Sequence, residues 1–149
     1  MKTITHKHRS IMPIKFSFLK IEIPQFAILV QEEVSGPFGI SSEVNFSIGG
    51  KNIIKCSLKI VYLKESQPVT QLVVDTFFGI EESSWKGMRH DGNIVIPAGF
   101  LQHLAALTLS TARGIQYAKT MELGISNYII PLTNLTEIIK DDMVVKIEK

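Results

Sequence analysis

Between Glu43 and Ile80 the chain alternates apolar and polar residues in three successive runs, separated by turn residues. Val44, Phe46 and Ile48 alternate with Glu43, Asn45 and Ser47. After Gly49-Gly50-Lys51-Asn52, residues Ile54, Cys56, Leu58, Ile60 and Tyr62 alternate with Lys55, Ser57 and Lys59. After Glu65-Ser66-Gln67-Pro68, residues Leu72, Val74, Thr76, Phe78 and Ile80 alternate with Gln71, Val73, Asp75 and Phe77. A period of two sends neighbouring side chains to opposite faces, so these runs predict an antiparallel meander. One of its faces is wetter than the other. Upstream, Ile14–Ile23 alternates imperfectly and predicts a further strand, ending before Pro24 and bent where Phe18 and Leu19 adjoin. The segment from Pro24 to Ser42 reads as a connection. Its apolar start can prolong a strand, but Ser35-Gly36-Pro37 and Gly39 force a loop. Residues 83–96 read as an irregular loop holding the only tryptophan, Trp85, and "MVVKIEK" as a short apolar tail or strand fragment.

Pro97 suits the first turn of a helix, and the pattern carries that helix to about Leu123, with a stop at Gly124. On a helical period its stripes are Phe100, Leu104, Leu107, Thr111, Gly114, Ala118, then Leu101, Ala105, Thr108, Ala112, Ile115, then Ala106, Leu109, Arg113, Gln116. Apolar or small residues cover more than half the circumference, which predicts a helix covered on two sides. An interior glycine costs about 1 kcal/mol against alanine, so Gly114 points to close approach of another backbone. The oligomer contact is therefore assigned to Leu107, Thr111, Gly114 and Ala118, with Arg113 beside them as a structural anchor. Its guanidinium is a poor acid or base but a good forked donor, across a subunit interface or to the loop before the helix. Thr133 or Asn134 can cap a short helix to about Lys140, with Glu137 in its first turn. Strands followed by helices give an α+β domain, residues 13–149, behind a loose tail at 1–12.

Composition narrows the function. Of the 149 residues, 45% are hydrophobic and 20% charged, the balance of one ordinary globular domain. A positive mean hydropathy implies apolar surface beyond one private core, as at oligomer contacts or a binding groove. The net charge of +2 comes with one basic cluster, His6-Lys7-His8-Arg9, which reads as a solvated tail and not as a nucleic-acid arm. A single cysteine, Cys56, excludes an internal disulfide framework and fits a reducing, cytoplasmic setting. No secretory signal is recognisable, and the apolar run Ala98–Ala112 is interrupted by Gln102 and His103 and is too short for membrane insertion.

His6, His8, His90 and His103 form no metal spacing with Cys56. Gly49-Gly50-Lys51 lacks the spacing of a phosphate loop, and there is no nucleophile elbow, so no cofactor is implied. Arg89-His90-Asp91 is the best candidate for an enzyme; the same residues also read as a polar turn closed by Gly92. Phe77 and Phe78 point to opposite faces, so one of them needs cover. Trp85 and Met88 can supply that cover as an adaptable apolar surface, or fold down as a lid on their own core.

The order of elements over residues 14–140 resembles the SecB export-chaperone family. The likeness is sharpest at Ile96-Pro97, at Arg113-Gly114 and at Pro131-Leu132-Thr133-Asn134-Leu135. The resemblance implies a four-stranded antiparallel sheet with a long and a short C-terminal helix packed on one face. It implies a tetramer, with the long helices in its middle, that binds nonnative polypeptides in apolar grooves without ATP. The connection Pro24–Ser42 and the helix Asn134–Lys140 would line those grooves. The peptide-binding residues are then Phe26, Leu29, Phe38, Phe77, Trp85, Met88, Leu135 and Ile138.

The family's export members are strongly acidic and dock on the Sec translocation motor through acids on the sheet. Here the matching strand carries only Asp75, and the chain ends "MVVKIEK", which argues against that docking. Relatives serving toxin–antitoxin modules are the other precedent. An adaptor of the same fold with one dedicated partner is the alternative reading.

Overall fold

The computed structural model describes residues 13–30, 38–122, 130 and 134–147. The predicted tail at 1–12, the Gly124 stop and Pro131–Thr133 lie outside them. Four strands, β1 (Phe16–Ile28), β2 (Gly39–Gly50), β3 (Ile53–Lys64) and β4 (Gln67–Ile80), form an antiparallel sheet in the order β1-β4-β3-β2. The register places Val44, Phe46 and Ile48 opposite Leu58, Cys56 and Ile54, so the apolar sets predicted from the alternation share one face.

Two expectations about β1 and β2 are corrected. β1 does not stop before Pro24 but continues to Ile28. A proline on an edge strand sacrifices no interior ladder bond, and the register shifts across Glu22/Gln25 to accommodate it. The other shift, between Phe18 and Lys20, falls where two apolar residues adjoin, as predicted. β2 begins at Gly39, so the predicted loop Pro24–Ser42 is shortened from both ends, with Ala27 paired to Gln71 and Ile40 to Tyr62. The long neighbours β4 and β3 pair with Gln25–Ile28 and with the strand from Gly39 onward, and that outweighs the local breaker residues.

Residues 83–96 are not an irregular loop. They form α1 (Glu82–Gly87), β5 (Arg89–His90) and β6 (Asn93–Ile96). Asp91 and Gly92 take φ of 48° and 80° and close the β5–β6 hairpin, so the Arg89-His90-Asp91 motif is a turn. After α2 (Ala98–Glu122) and α3 (Leu135–Ile138), the strand β7 (Met143–Lys146) pairs antiparallel with β6, completing a small sheet β5-β6-β7.

α2 lies on β3 and β4. Leu101, Leu104, Ala105, Thr108, Leu109, Ala112, Gln116 and Thr120 form its buried stripe. The Thr108 and Thr76 hydroxyls meet at 2.7 Å, and Thr108 also donates to the Leu104 carbonyl. This buried polar contact fixes the helix on the sheet at one register. The helix start is held from the far end of the chain. The Ala98 amide donates to Asp142 Oδ1 at 2.8 Å, and Gln102 Nε2 donates to the Ile139 carbonyl at 2.7 Å. Asn134 caps α3 by accepting from the Thr136 amide, although α3 ends at Ile138, short of the predicted Lys140. Arg113 Nε donates to the Ile130 carbonyl at 2.8 Å, so its described anchor is the segment after the helix, not the loop before it.

Burial pushes the Cys56 thiol up to about 11 from 9.0, opposed by the Thr108 and Thr76 hydroxyls. Between those values the unfolded chain has released a proton that the folded chain retains. Stability therefore falls as pH rises through that window, by up to about 1.4 kcal/mol per pH unit. Urea midpoints measured across it will decline less in Cys56→Ala. The β3–β4 turn places Glu65 and Ser66 at φ of 50° and 66°, where glycine is unstrained. Ser66→Gly will raise the unfolding free energy by about 1 kcal/mol, read from the same titrations.

Candidate functional site

A helix is about 10 Å wide, and adjacent strands lie about 4.8 Å apart, so one helix covers roughly two strands. α2 covers β3 and β4, and the edge strand β1 is left with an uncovered apolar row. Phe18, Ile21 and Ile23 are 42%, 48% and 42% exposed. Leu19, at the first register shift, leaves this row and packs instead over Gly79, where a Cβ would meet its side chain at 3.2 Å. An aromatic cluster ties β1 to the helix. Phe16 stands edge-on to Phe78 at 5.9 Å, to Phe100 at 5.4 Å and to the His103 ring at 5.7 Å, and Phe18 stands edge-on to Phe78 at 4.9 Å.

His103 starts the outer stripe of α2, which runs through Leu107, Ser110, Gly114, Tyr117 and Met121 at about 100° per residue. Tyr117 and Met121 are exposed, as are Gly114 and Ala118, and a Cβ on Gly114 would meet nothing within 4 Å. Leu107 and Thr111 are half-buried. The helix is thus covered by the sheet on one side, while its second small-residue side is open in the single chain. The β1 row and this stripe join through Phe16, Phe100 and His103 into one apolar strip. Alternation in the sequence marked Phe18 and Ile21 as strand residues; only the width of the helix shows that they are uncovered.

The residues predicted to bind peptide are divided among several places. Phe26 in β1 and Phe38 before β2 pack on the cluster of Leu58, Ile60, Tyr62, Leu72, Leu109 and Ala112, with Phe38 edge-on to Tyr62 at 6.4 Å. Leu29, exposed, directly follows β1, with its amide on the Val69 carbonyl. Trp85, Met88 and Leu135 pack on the other cluster, around Ile54, Phe78, Ile94, Ile96 and Leu104, while Ile138 is exposed on α3. Trp85 and Met88 therefore fold onto the core of Phe78 and do not cover Phe77. Met88 is buried, which leaves it little surface for a ligand. Phe77 faces the opposite side of the sheet, turned away from the two core clusters. The Lys20 and Lys55 ammonium groups lie 4.4 and 5.7 Å from its ring centre.

On that opposite face Lys55 Nζ pairs with Asp75 Oδ2 at 3.4 Å, and Asp75 Oδ1 is buried without a hydrogen-bond partner. Lys20 pairs with Glu22. The face is a mixture of charges, not an acidic surface. On the β5–β6 turn, His90 Nε2 is 3.3 Å from Asp91 Oδ2, with both side chains standing in solvent. The turn borders a shallow cavity of about 300 Å³ shared by Arg89, Gly92 and Ile147. Among the described residues no three His, Cys, Asp or Glu side chains converge on a metal position, and no helix is long and apolar enough to cross a membrane.

No family model matches the chain, and a search of curated proteins finds no match. Among solved structures the chain is similar to the Rv1957 SecB-like chaperone of Mycobacterium tuberculosis, described in complex with a ChAD peptide from the Rv1956 HigA1 antitoxin. The identity is 11%, the match covers 80% of this chain and 91% of that one, and the TM-score is 0.49. The α+β class and the four-stranded antiparallel sheet with helices on one face stand on the strand register and packing described above.

The apolar strip belongs to the surface and not to the core, and stability measurements separate the two. Ile21→Lys will change the unfolding free energy by less than about 1 kcal/mol, whereas Phe78→Ala, in the core, will cost about 3 to 5 kcal/mol. Chemical denaturation of both variants checks this.

Proposed function

We propose that this protein is a chaperone-like protein that holds nonnative polypeptides on apolar surface without ATP and assembles with copies of itself. The observation that carries this reading is the apolar strip formed by Phe18, Ile21 and Ile23 of β1 and the outer stripe of α2. Apolar area removed from water contributes roughly 25 cal/mol per Å² whatever the sequence that covers it. An edge strand adds main-chain donors and acceptors that are also indifferent to side-chain identity. Together these suit a partner defined by being unfolded. Phe26, Phe38, Leu135 and the half-buried Trp85 extend the apolar surface at the two core clusters, and Leu29 and Ile138 add exposed apolar side chains.

The outer stripe of α2 serves self-assembly in this proposal. Leu107, Thr111, Gly114 and Ala118 present small or apolar groups that let a second helix approach closely, and a tetramer is the assembly that the family resemblance implies. Gly114 is in open space within the chain, so a larger side chain there is compatible with folding of the single subunit.

A chemically unfolded client diluted into buffer will aggregate less in the presence of near-stoichiometric protein and no nucleotide. Ile21→Lys will weaken the effect, and His90→Ala will leave it unchanged. No suppression by the unmodified protein at several-fold excess overturns the proposal. Gly114→Leu will lower the mass found by light scattering, and an unchanged oligomer removes Gly114 from the contact.

A further inference from the structure

We infer that the outer edge of β6 is an acceptor for an extended apolar strand, and that β7 occupies this edge as an internal stand-in which a segment of nonnative polypeptide replaces. The inference rests on the polypeptide-binding reading above and assigns it a second surface, remote from β1.

The geometry of β6 defines what fits. The Val95 amide is taken by the Met88 carbonyl at 2.8 Å, on the β5 side. Main-chain groups alternate sides along a strand, so Ile94 and Ile96 direct theirs at β7. Their β7 partners are Val145 and Met143. Those two side chains are half-buried against the cluster that contains Ile94, Ile96, Met88 and Leu101. Val144 and Lys146, between and after them, face solvent. The edge therefore reads only an extended backbone with apolar side chains at alternate positions, a description that many unfolded segments meet.

β7 is weakly committed to this place. The segment before it is fixed by Ile139 in the core, by Gln102 on the Ile139 carbonyl and by Asp142 on the Ala98 amide. Beyond Asp142 the hold is four paired residues and two half-buried side chains. The strand can leave from Met143 onward without disturbing the start of α2. It cannot leave the edge empty, because Ile94 and Ile96 are 1% and 0% exposed and their main-chain groups would lose their partners. Exchange of one strand for another meets that constraint.

Val95 and Val144 are directly opposed in a pair that is not hydrogen-bonded, for which the Cα separation is about 4.5 Å and a disulfide is sterically accessible. The only native thiol, Cys56, is buried. The test is a Val95→Cys/Val144→Cys variant, with reduced and alkylated lysozyme as the unfolded probe and anisotropy as the readout. The oxidised variant will bind the probe at least about tenfold more weakly than its own reduced form, because the competent state is withdrawn. Equal affinity of the two forms overturns the inference and leaves the proposed function intact, whereas no binding by the unmodified protein overturns both.

Amide exchange on the unmodified protein decides independently of the cross-link. With saturating probe, the Met143 and Val145 amides will lose protection while Ile94 and Ile96 keep it. Continued protection of Met143 and Val145 rules the exchange of strands out.

Discussion

One helix of 25 residues must cover a sheet of four strands, and it is too narrow to do so. The rest of the molecule follows from that mismatch. α2 settles on the two central strands, where Thr76 and Thr108 share a buried hydrogen bond and where Leu72, Val74, Phe78, Leu104 and Ala112 are shielded from water. β1 and β2 keep part of their apolar face uncovered. On β1 that uncovered face carries Phe18, Ile21 and Ile23. Their exposure is the physical basis of the proposed function.

The second half of the architecture keeps that helix in place. After α2, Ile130, Ile139 and Asp142 touch it at Arg113, Gln102 and Ala98 in turn. The chain continues as β7 on the hairpin that precedes the helix. The start of α2 is thereby held by the segment that precedes β7, where a carboxylate of Asp142 satisfies one of its orphan amides. This closure joins two distant pieces of sequence.

The motif that the sequence offered for catalysis lies at the surface. Arg89, His90 and Asp91 stand in solvent on a tight turn. The buried polar groups Thr76, Thr108 and Cys56 are spent on one another and on the backbone, with the thiol held neutral by burial. Asp75, the lone acid that the sequence offered for an acidic docking face, pairs with Lys55 beside Lys20 and Phe77, so that side of the sheet is electrically mixed.

By itself the sequence determined every feature that depends on neighbours along the chain. The alternation from Val44 to Ile80 set the strands and their faces, the adjoining Phe18 and Leu19 marked the bend, Pro97 marked the start of the long helix, and Asp91-Gly92 allowed a turn. These are local because a strand or helix period is written in consecutive residues. Only the tertiary structure decided the rest. It carried β1 through Pro24, because an edge strand tolerates a missing donor. It made a sheet of residues 89–96 by bringing in β7 from the end of the chain, and it placed Trp85 and Met88 on the Phe78 core instead of over Phe77. It also divided the predicted peptide-binding residues between two clusters and two faces, while leaving Phe18, Ile21 and Ile23 open. Exposure depends on which element lies overhead, and a one-dimensional pattern of apolar residues is the same whether a helix covers them or passes to one side.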